Sequence, residues 1–147
     1  MKLGTGIGGW PGEVQAAAKR AEENGYDFVT CGELSHDSIL TMTMAAAATE
    51  KVELQTGVTI AFPRSPMVLA MEAWDLQHLS KGRFSIGLGS QVKGHNERRF
   101  SIPWSAPAPR MKEYIRMMRA IWDGWQKGTP AEFLGKHYTF TLMTPNF

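Results

Sequence analysis

Chemistry in this chain is concentrated where short apolar runs give way to glycine. Phe84-Ser-Ile-Gly-Leu-Gly-Ser-Gln91 reads as one short buried strand running into a flexed loop, because the run is too short for a helix and is bounded by glycines. Gly87 and Gly89 leave bare backbone where the strand stops, which is where α/β proteins hold ligands. This stretch is the expected floor of a site. A second candidate is the polar loop Gly32-Glu-Leu-Ser-His-Asp37. His36 in it is either a group that orients a substrate and moves a proton, or a loop histidine that caps the next helix. Cys31, at the end of an apolar run, reads as a small core residue rather than a nucleophile. His95, Arg98 and Arg99 offer charge to an anionic tail or substrate, or form a solvated face. His36, His78, His95 and His137 lack the spacing of a metal site, so no metal is expected.

Alternating strands and helices must position these residues. Lys2-Leu-Gly-Thr-Gly-Ile7 is a first strand weakened by glycine. Val14, Ala17, Ala18 and Ala21 fall at helical spacing over 13–24, with Asn24-Gly25 as the stop. A second strand over 26–31 leads to a helix over 39–49, capped by Asp37 or Ser38. The third strand covers 52–61. Ser65 and Pro66 then open a helix ending at Leu79, with Lys81-Gly82 as its stop. The Phe84 strand is followed by a long polar segment over 91–109. A last helix carries Met111, Tyr114, Ile115, Met118, Ile121, Trp122 and Trp125 on one face and closes at Gly128. The tail over 133–141 alternates weakly and suits a hairpin, and the final residues 143–147 carry no termination signal.

Four strand–helix units in strict alternation predict an α/β fold with a parallel sheet and right-handed crossovers. They suit half of an eight-unit barrel or a small doubly wound sheet, and the pattern alone does not choose. Gly4, Gly6 and Gly9 match the G-x-G-x-x-G dinucleotide pattern, with Asp27 downstream. That pattern needs a strand before its first glycine and a helix through its third. Here only three residues precede Gly4, and Pro11-Gly12 delays the helix, so the match is read as coincidence.

Composition removes several function classes. With 43% hydrophobic and 20% charged residues, 147 residues are enough for one sizeable core. No apolar run approaches a membrane span, and the N-terminus has no signal-peptide h-region. One cysteine precludes an intrachain disulfide and makes a reducing cytoplasm the expected location. From Lys81 to Arg119 nine Lys or Arg face only Glu97 and Glu113. This is a solvated basic face or an anion-attracting rim. Nucleic acid is disfavoured because no aromatic platform interleaves the basic residues.

An ordered set of motifs then identifies a family. Cys31-Gly-Glu-Leu-Ser-His36, Leu54-Gln-Thr-Gly-Val58, Arg64-Ser-Pro66, Asp75-Leu-Gln77 and Ser80-Lys-Gly-Arg-Phe-Ser-Ile-Gly-Leu-Gly-Ser-Gln91 resemble the bacterial-luciferase-like monooxygenase superfamily. His95-Asn-Glu-Arg-Arg-Phe100 and Pro103-Trp104 bring the likeness nearest to its oxidoreductases that use the deazaflavin coenzyme F420. The resemblance runs from about Lys2 to the last residue, and its specific block is 56–100.

The resemblance implies a (β/α)8 TIM barrel of which this chain is a truncated first half, a single domain over 1–147 with the start of an insertion at about 129–147. It implies hydride transfer between the deazaflavin and a small organic substrate, impaired in an isolated half because the phosphate-binding strands would lie beyond it. Gly57, Val58 and Thr59 would back the cofactor ring at a bulge with a cis Gly57–Val58 peptide; an ordinary bulge glycine is the plainer alternative. Gly87, Gly89, Ser90 and Gln91 would form the strand-four contact. Glu33 would take the acidic position and His36 a substrate-orienting or proton-transfer role. Relatives place the acidic residue directly before the histidine, whereas here Leu34 and Ser35 intervene. Some relatives carry a catalytic glutamate just past the glycine pair; Gln91-Val92 stands here instead. A homodimer through the helices over 39–49 and 66–79 is implied as well. Two other readings stay open: an FMN-dependent luciferase-like monooxygenase, and a non-catalytic half-barrel interaction module with exposed sheet edges.

Overall fold

Short strands and longer helices follow one another in a computed structural model that describes residues 1–144. The order is β1 (Gly4–Gly6), α1 (Pro11–Glu23), β2 (Phe28–Cys31), α2 (Ser38–Ala48), β3 (Glu53–Thr56), β4 (Thr59–Ile60), α3 (Pro66–Leu79), β5 (Phe84–Ser85), β6 (Leu88–Gly89), α4 (Lys93–Arg98), α5 (Pro107–Lys127), β7 (Phe133–Leu134) and β8 (Thr139–Phe140). A four-stranded parallel sheet runs β1-β2-β3-β5, with Gly4 opposite Phe28, Phe28 opposite Glu53 and Leu54 opposite Phe84. The pair β4–β6 is also parallel, with Thr59 opposite Leu88. The fold is therefore the α/β parallel architecture expected. The chain divides into two compact units, one of Met1–Ile60 with Glu72–Gly89, the other of Ala61–Met71 with the chain from Ser90 onward.

In the first unit β2, β3 and β5 alternate with period two. Val29, Cys31, Leu54, Thr56 and Phe84 are buried, while Phe28, Thr30, Glu53 and Gln55 between them stay half-buried. Cys31 Sγ, for example, donates to the Ser38 carbonyl at the start of α2 at 3.6 Å. α1 starts with Pro11 at its first position, Glu13 accepts a hydrogen bond from Trp10 N at 2.8 Å, and Gly25 past its end takes φ +78°. Of the two cap candidates for α2, Asp37 does the capping, accepting from Leu40 N at 2.9 Å. Ser38 is fully buried and bonds the Thr59 hydroxyl at 2.8 Å instead. The helix at Pro66–Leu79 has the bounds expected, and Ser65 Oγ accepts from Met67 N at 3.2 Å.

Two strands differ from expectation. The third is not continuous over 52–61: it breaks into β3 and β4 at Gly57–Val58, which carries the cis peptide that the resemblance implied. The fourth breaks in step, into β5 and β6. Pairing requires this, because β4 can stay beside its neighbour only if that neighbour shifts with it. The Gly4-x-Gly6 match lies inside β1 itself and Gly9 precedes α1, whereas the dinucleotide pattern needs a strand before its first glycine and a helix through its third.

At the end of the sheet where strands begin, the turn from α2 to β3 is held on both sides. The Glu22 carboxylate accepts from the backbone N–H groups of Glu50 (3.0 Å), Lys51 (2.6 Å) and Val52 (2.8 Å). Arg83 donates to the carbonyls of Ala46, Thr49, Val52 and Ser80 and to the Thr49 hydroxyl, at 2.8–3.3 Å. Partial burial alone would raise the Glu22 pKa, but the Val52, Lys51 and Glu50 donors, with Arg83, outweigh it and hold it below the ordinary glutamate range. A lowered folded value means stability that is complete above the unfolded pKa and lost as pH falls through the folded one. Urea midpoints measured from pH 7 down to pH 3 are expected to fall in that window, and less steeply in Glu22→Gln.

The second unit is built on α5. Tyr114, Met117, Met118, Ile121 and Trp125 are buried at helical spacing, and Gly128 ends the helix at φ +63°, as expected. Tyr114 OH donates to Arg64 O at 3.2 Å, and Trp122 Nε1 donates to Ala70 O at 3.0 Å. The tail hairpin is present: β7 and β8 pair antiparallel, with Phe133 opposite Phe140. Glu113 fastens it to α5 by accepting from His137 N at 2.7 Å, and the Arg110 guanidinium, 4.3 Å over Phe62, bonds Tyr138 OH at 2.8 Å. The polar segment over 91–109 holds a helix that was not expected, α4. Six residues are too few for periodicity to show, and the cause is buried Asn96, whose Nδ2 donates to Ser90 O at 3.0 Å and Val92 O at 3.3 Å. Of the terminal residues 143–147, Met143 and Thr144 are described and 145–147 lie outside the described residues.

Candidate cofactor site

At the strand ends of the first unit, Gly57 and Val58 stand exposed between buried Thr56 and buried Thr59 and Ile60. Several bonds hold this break in place. Gly57 N donates to Cys31 O at 2.7 Å and Thr59 N to Gly87 O at 2.7 Å. The Thr56 hydroxyl faces Gly87 twice, accepting from its N–H at 2.9 Å and donating to its carbonyl at 3.0 Å. The Ser38–Thr59 hydroxyl pair anchors the first residue of β4 from α2.

The glycines here are required by close approach. A Cβ on Gly87 would run into the Thr56 carbonyl oxygen, one on Gly57 would stand 2.8 Å from Thr30 Oγ1, and one on Gly89 would stand 2.5 Å from Val58 Cγ2. Glycine lets the two broken strands nest, and it leaves backbone and Val58, 41% exposed, as the surface.

Glu33 bridges this surface to the second strand's loop. Its Oε2 accepts from Ile60 N at 2.6 Å, a charge-assisted bond to the residue that ends β4. Glu33→Ala is expected to cost about 1.5–3 kcal/mol, the range for a hydrogen bond to a charged group. Glu33→Gln, which keeps an acceptor, is expected to recover more than half of it; thermal denaturation of the two variants checks this. His36 does not cap α2. Its ring meets Trp10 edge-on, with centroids 5.0 Å apart at 77°. Burial pushes the Cys31 thiol up to about 12, with the Glu33 and Asp37 charges adding to it, so Cys31 is an inert core residue as expected.

The structure thus brings Glu33, Gly57, Val58, Thr59, Gly87 and Gly89 to one set of strand ends, with His36 on the adjoining loop. Ser90 and Gln91 follow Gly89 in sequence but belong to the second unit, as do His95, Arg98 and Arg99. Gln91 takes φ +58°, and its Oε1 accepts from Val92 N at 2.9 Å. Sequence reasoning placed Thr56 in a motif without giving its side chain a role, and missed Trp10. Thr56 gave no local signal, since its partner Gly87 lies thirty-one residues on. Trp10 did give one: a tryptophan within Gly8-Gly9-Trp10-Pro11-Gly12 has no neighbours in sequence to bury it.

A family model for luciferase-like monooxygenases matches residues 4–146. An uncharacterized protein of Mycobacterium tuberculosis is 46% identical over 143 residues, covering 95% of this chain and 42% of that protein. A second protein of that organism, named a "putative coenzyme F420-dependent oxidoreductase", is 32% identical over 147 residues, covering 97% and 42%. The chain therefore spans less than half the length of these curated relatives. Among solved structures, the oxygenating constituent of 3,6-diketocamphane monooxygenase from Pseudomonas putida, in complex with FMN, superposes with a TM-score of 0.80 at 18% identity, covering 98% of this chain and 44% of that one. Together with the parallel strands whose ends are bared by glycine, these likenesses show that the chain belongs to the luciferase-like monooxygenase family and has the fold of the first half of its barrel.

Proposed function

We propose that this chain contributes the cofactor-facing half of an oxidoreductase that transfers a hydride between a deazaflavin, coenzyme F420, and a small organic substrate. The observation that carries the reading is the exposed Gly57–Val58 step, flanked by buried residues and bordered by the bare backbone of Gly87 and Gly89. A flat heterocycle fits such a surface, because the side chain exposed at this step is the apolar Val58 and the glycines beside it add none. Val58 would lie against the ring, and Thr59, Gly87 and Gly89 would shape the floor. When bound, the deazaflavin supplies the hydride chemistry. Glu33 holds β4 in position, and His36 is the side chain assigned to orienting the substrate and handling its proton.

FMN is the second reading, favoured by the FMN-bound structural neighbour. Titrating coenzyme F420 and FMN separately into the protein and following their fluorescence distinguishes the two. Binding at least tenfold tighter for the deazaflavin is expected. A preference for FMN moves the reading to monooxygenase chemistry; because the phosphate-binding strands of such a barrel would lie beyond these four units, the ratio of the two affinities and not their size decides, and equal affinities remove the preference for the deazaflavin.

The same reading includes self-association through α2 and the later half of α3. Exposed Leu40 and Leu79 border a groove of about 440 Å³ there, which supports a dimer face. A cytoplasmic location is proposed too. Among the described residues no helix is long and apolar enough to cross a membrane, and the single cysteine is free and buried.

A further inference from the structure

Trp10 is 69% exposed, unusual for the largest apolar side chain, yet its backbone is firmly held. Its N–H donates to Glu13 Oε2 at 2.8 Å, its carbonyl accepts from Val14 N at 3.0 Å, and Pro11 follows it as the first residue of α1. The indole also has a fixed partner in the half-buried His36 ring, edge-on at 5.0 Å. Trp10 leaves the end of β1 and His36 the end of β2, and these strands are neighbours in register, Gly6 opposite Thr30. Both loops therefore rise from the same strand ends that present Gly57 and Val58. Leu34, 77% exposed on the β2 loop, adds a third apolar group.

The charge of this rim is one-sided. The stretches 4–12, 32–38, 56–60 and 86–89 contain Glu33 and Asp37 and no Lys or Arg. Both carboxylates already serve backbone donors, Glu33 at Ile60 N and Asp37 at Leu40 N. Within these stretches an anionic substrate would meet repulsion and no cation. A cationic one would find its counter-ions engaged in holding loops.

We infer that Trp10 and His36 form the substrate-selecting wall of this rim, and that the wall takes a neutral aromatic compound. The indole offers a planar apolar surface, and its edge contact with the imidazole fixes the ring plane before a ligand arrives, so little rotamer freedom is lost on binding. This rests on the reading of the strand ends as the cofactor site and names its substrate class.

Three probes of matched size test it: 2-naphthol, 2-naphthoate and decahydro-2-naphthol, each titrated with and without deazaflavin. The readout is the Trp10 indole Nε1–H resonance, assigned by its loss in Trp10→Phe. A saturable shift with 2-naphthol is expected, with at least tenfold weaker binding of the other two probes. Saturation transfer to the naphthol ring protons is expected to drop at least tenfold in Trp10→Ala and to persist in Trp10→Phe. The proposal is overturned if 2-naphthol leaves the resonance unmoved, if naphthoate or the saturated alcohol binds as tightly, or if Trp10→Ala binds undiminished. The wild-type shift decides even if a variant folds poorly. Deazaflavin binding without naphthol binding rejects the wall alone; naphthol binding without deazaflavin binding keeps the wall and rejects the cofactor reading.

Discussion

Gly87→Ala is expected to unfold the rim of the fourth strand and abolish cofactor binding. The added methyl would meet the Thr56 carbonyl oxygen, which is backbone and cannot swing away. Relief requires the strand pairs to part, and parting breaks the bonds from Gly87 N to Thr56 Oγ1, from Thr56 Oγ1 to Gly87 O and from Thr59 N to Gly87 O. Overpacking costs about 1–3 kcal/mol, and each lost bond adds about 0.5–1.5 kcal/mol. A loss of roughly 3 kcal/mol or more is expected, a fall of roughly 10 °C in Tm for a chain of this size. Gly6→Ala is the control, because a Cβ there meets nothing within 4 Å and its φ is not positive. It is expected to leave Tm within about 2 °C and cofactor affinity unchanged, since alanine stiffens the unfolded chain slightly. Thermal denaturation and deazaflavin titration of both variants check the pair; equal behaviour would refute the close-approach argument.

Arg83→Met is expected to lower stability by a similar amount while sparing the site. The guanidinium bonds four carbonyls and one hydroxyl drawn from α2, the turn after it and the end of α3. Hydrogen bonds from a charged group are each worth about 1.5–3 kcal/mol, and acceptors left unpaired by truncation lose more than the bond itself. The turn is partly solvated, so water takes over some acceptors and the expected cost is roughly 3 kcal/mol. Arg83→Lys is expected to recover less than half, because a single ammonium cannot span five acceptors that a planar fork reaches. Arg83 and Val52 stand where strands begin, and the candidate site lies where they end. Deazaflavin affinity of the folded Arg83→Met protein is therefore expected to match wild type, which separates this variant from Gly87→Ala. Urea denaturation measures the first effect and fluorescence titration the second.

Much of the fold was legible from residues close together in sequence. The spacing of Leu69, Ala73, Leu76 and Leu79 between Ser65-Pro66 and Lys81-Gly82 located α3 with its observed bounds. The apolar face of α5 and its Gly128 stop were equally plain. Such signals work because a helix buries a stripe set by its own 3.6-residue period and ends on caps within one turn. The cis step at Gly57–Val58 entered through family resemblance, since neither residue announces it by type.

What the amino-acid order determined by itself was the alternation of strand and helix, the parallel class and the family. Tertiary structure alone decided the split of the fourth strand, the choice of Asp37 over Ser38 as cap, the attachment of Glu33 to Ile60 and the meeting of Trp10 with His36. Each of these depends on a partner remote in the chain: Ser38 leaves the cap because Thr59 lies beside it, and Gly87 must be bare because Thr56 faces it. Periodicity and capping are local to a turn or two of backbone, whereas a close approach between strands exists only once the sheet has brought its members side by side.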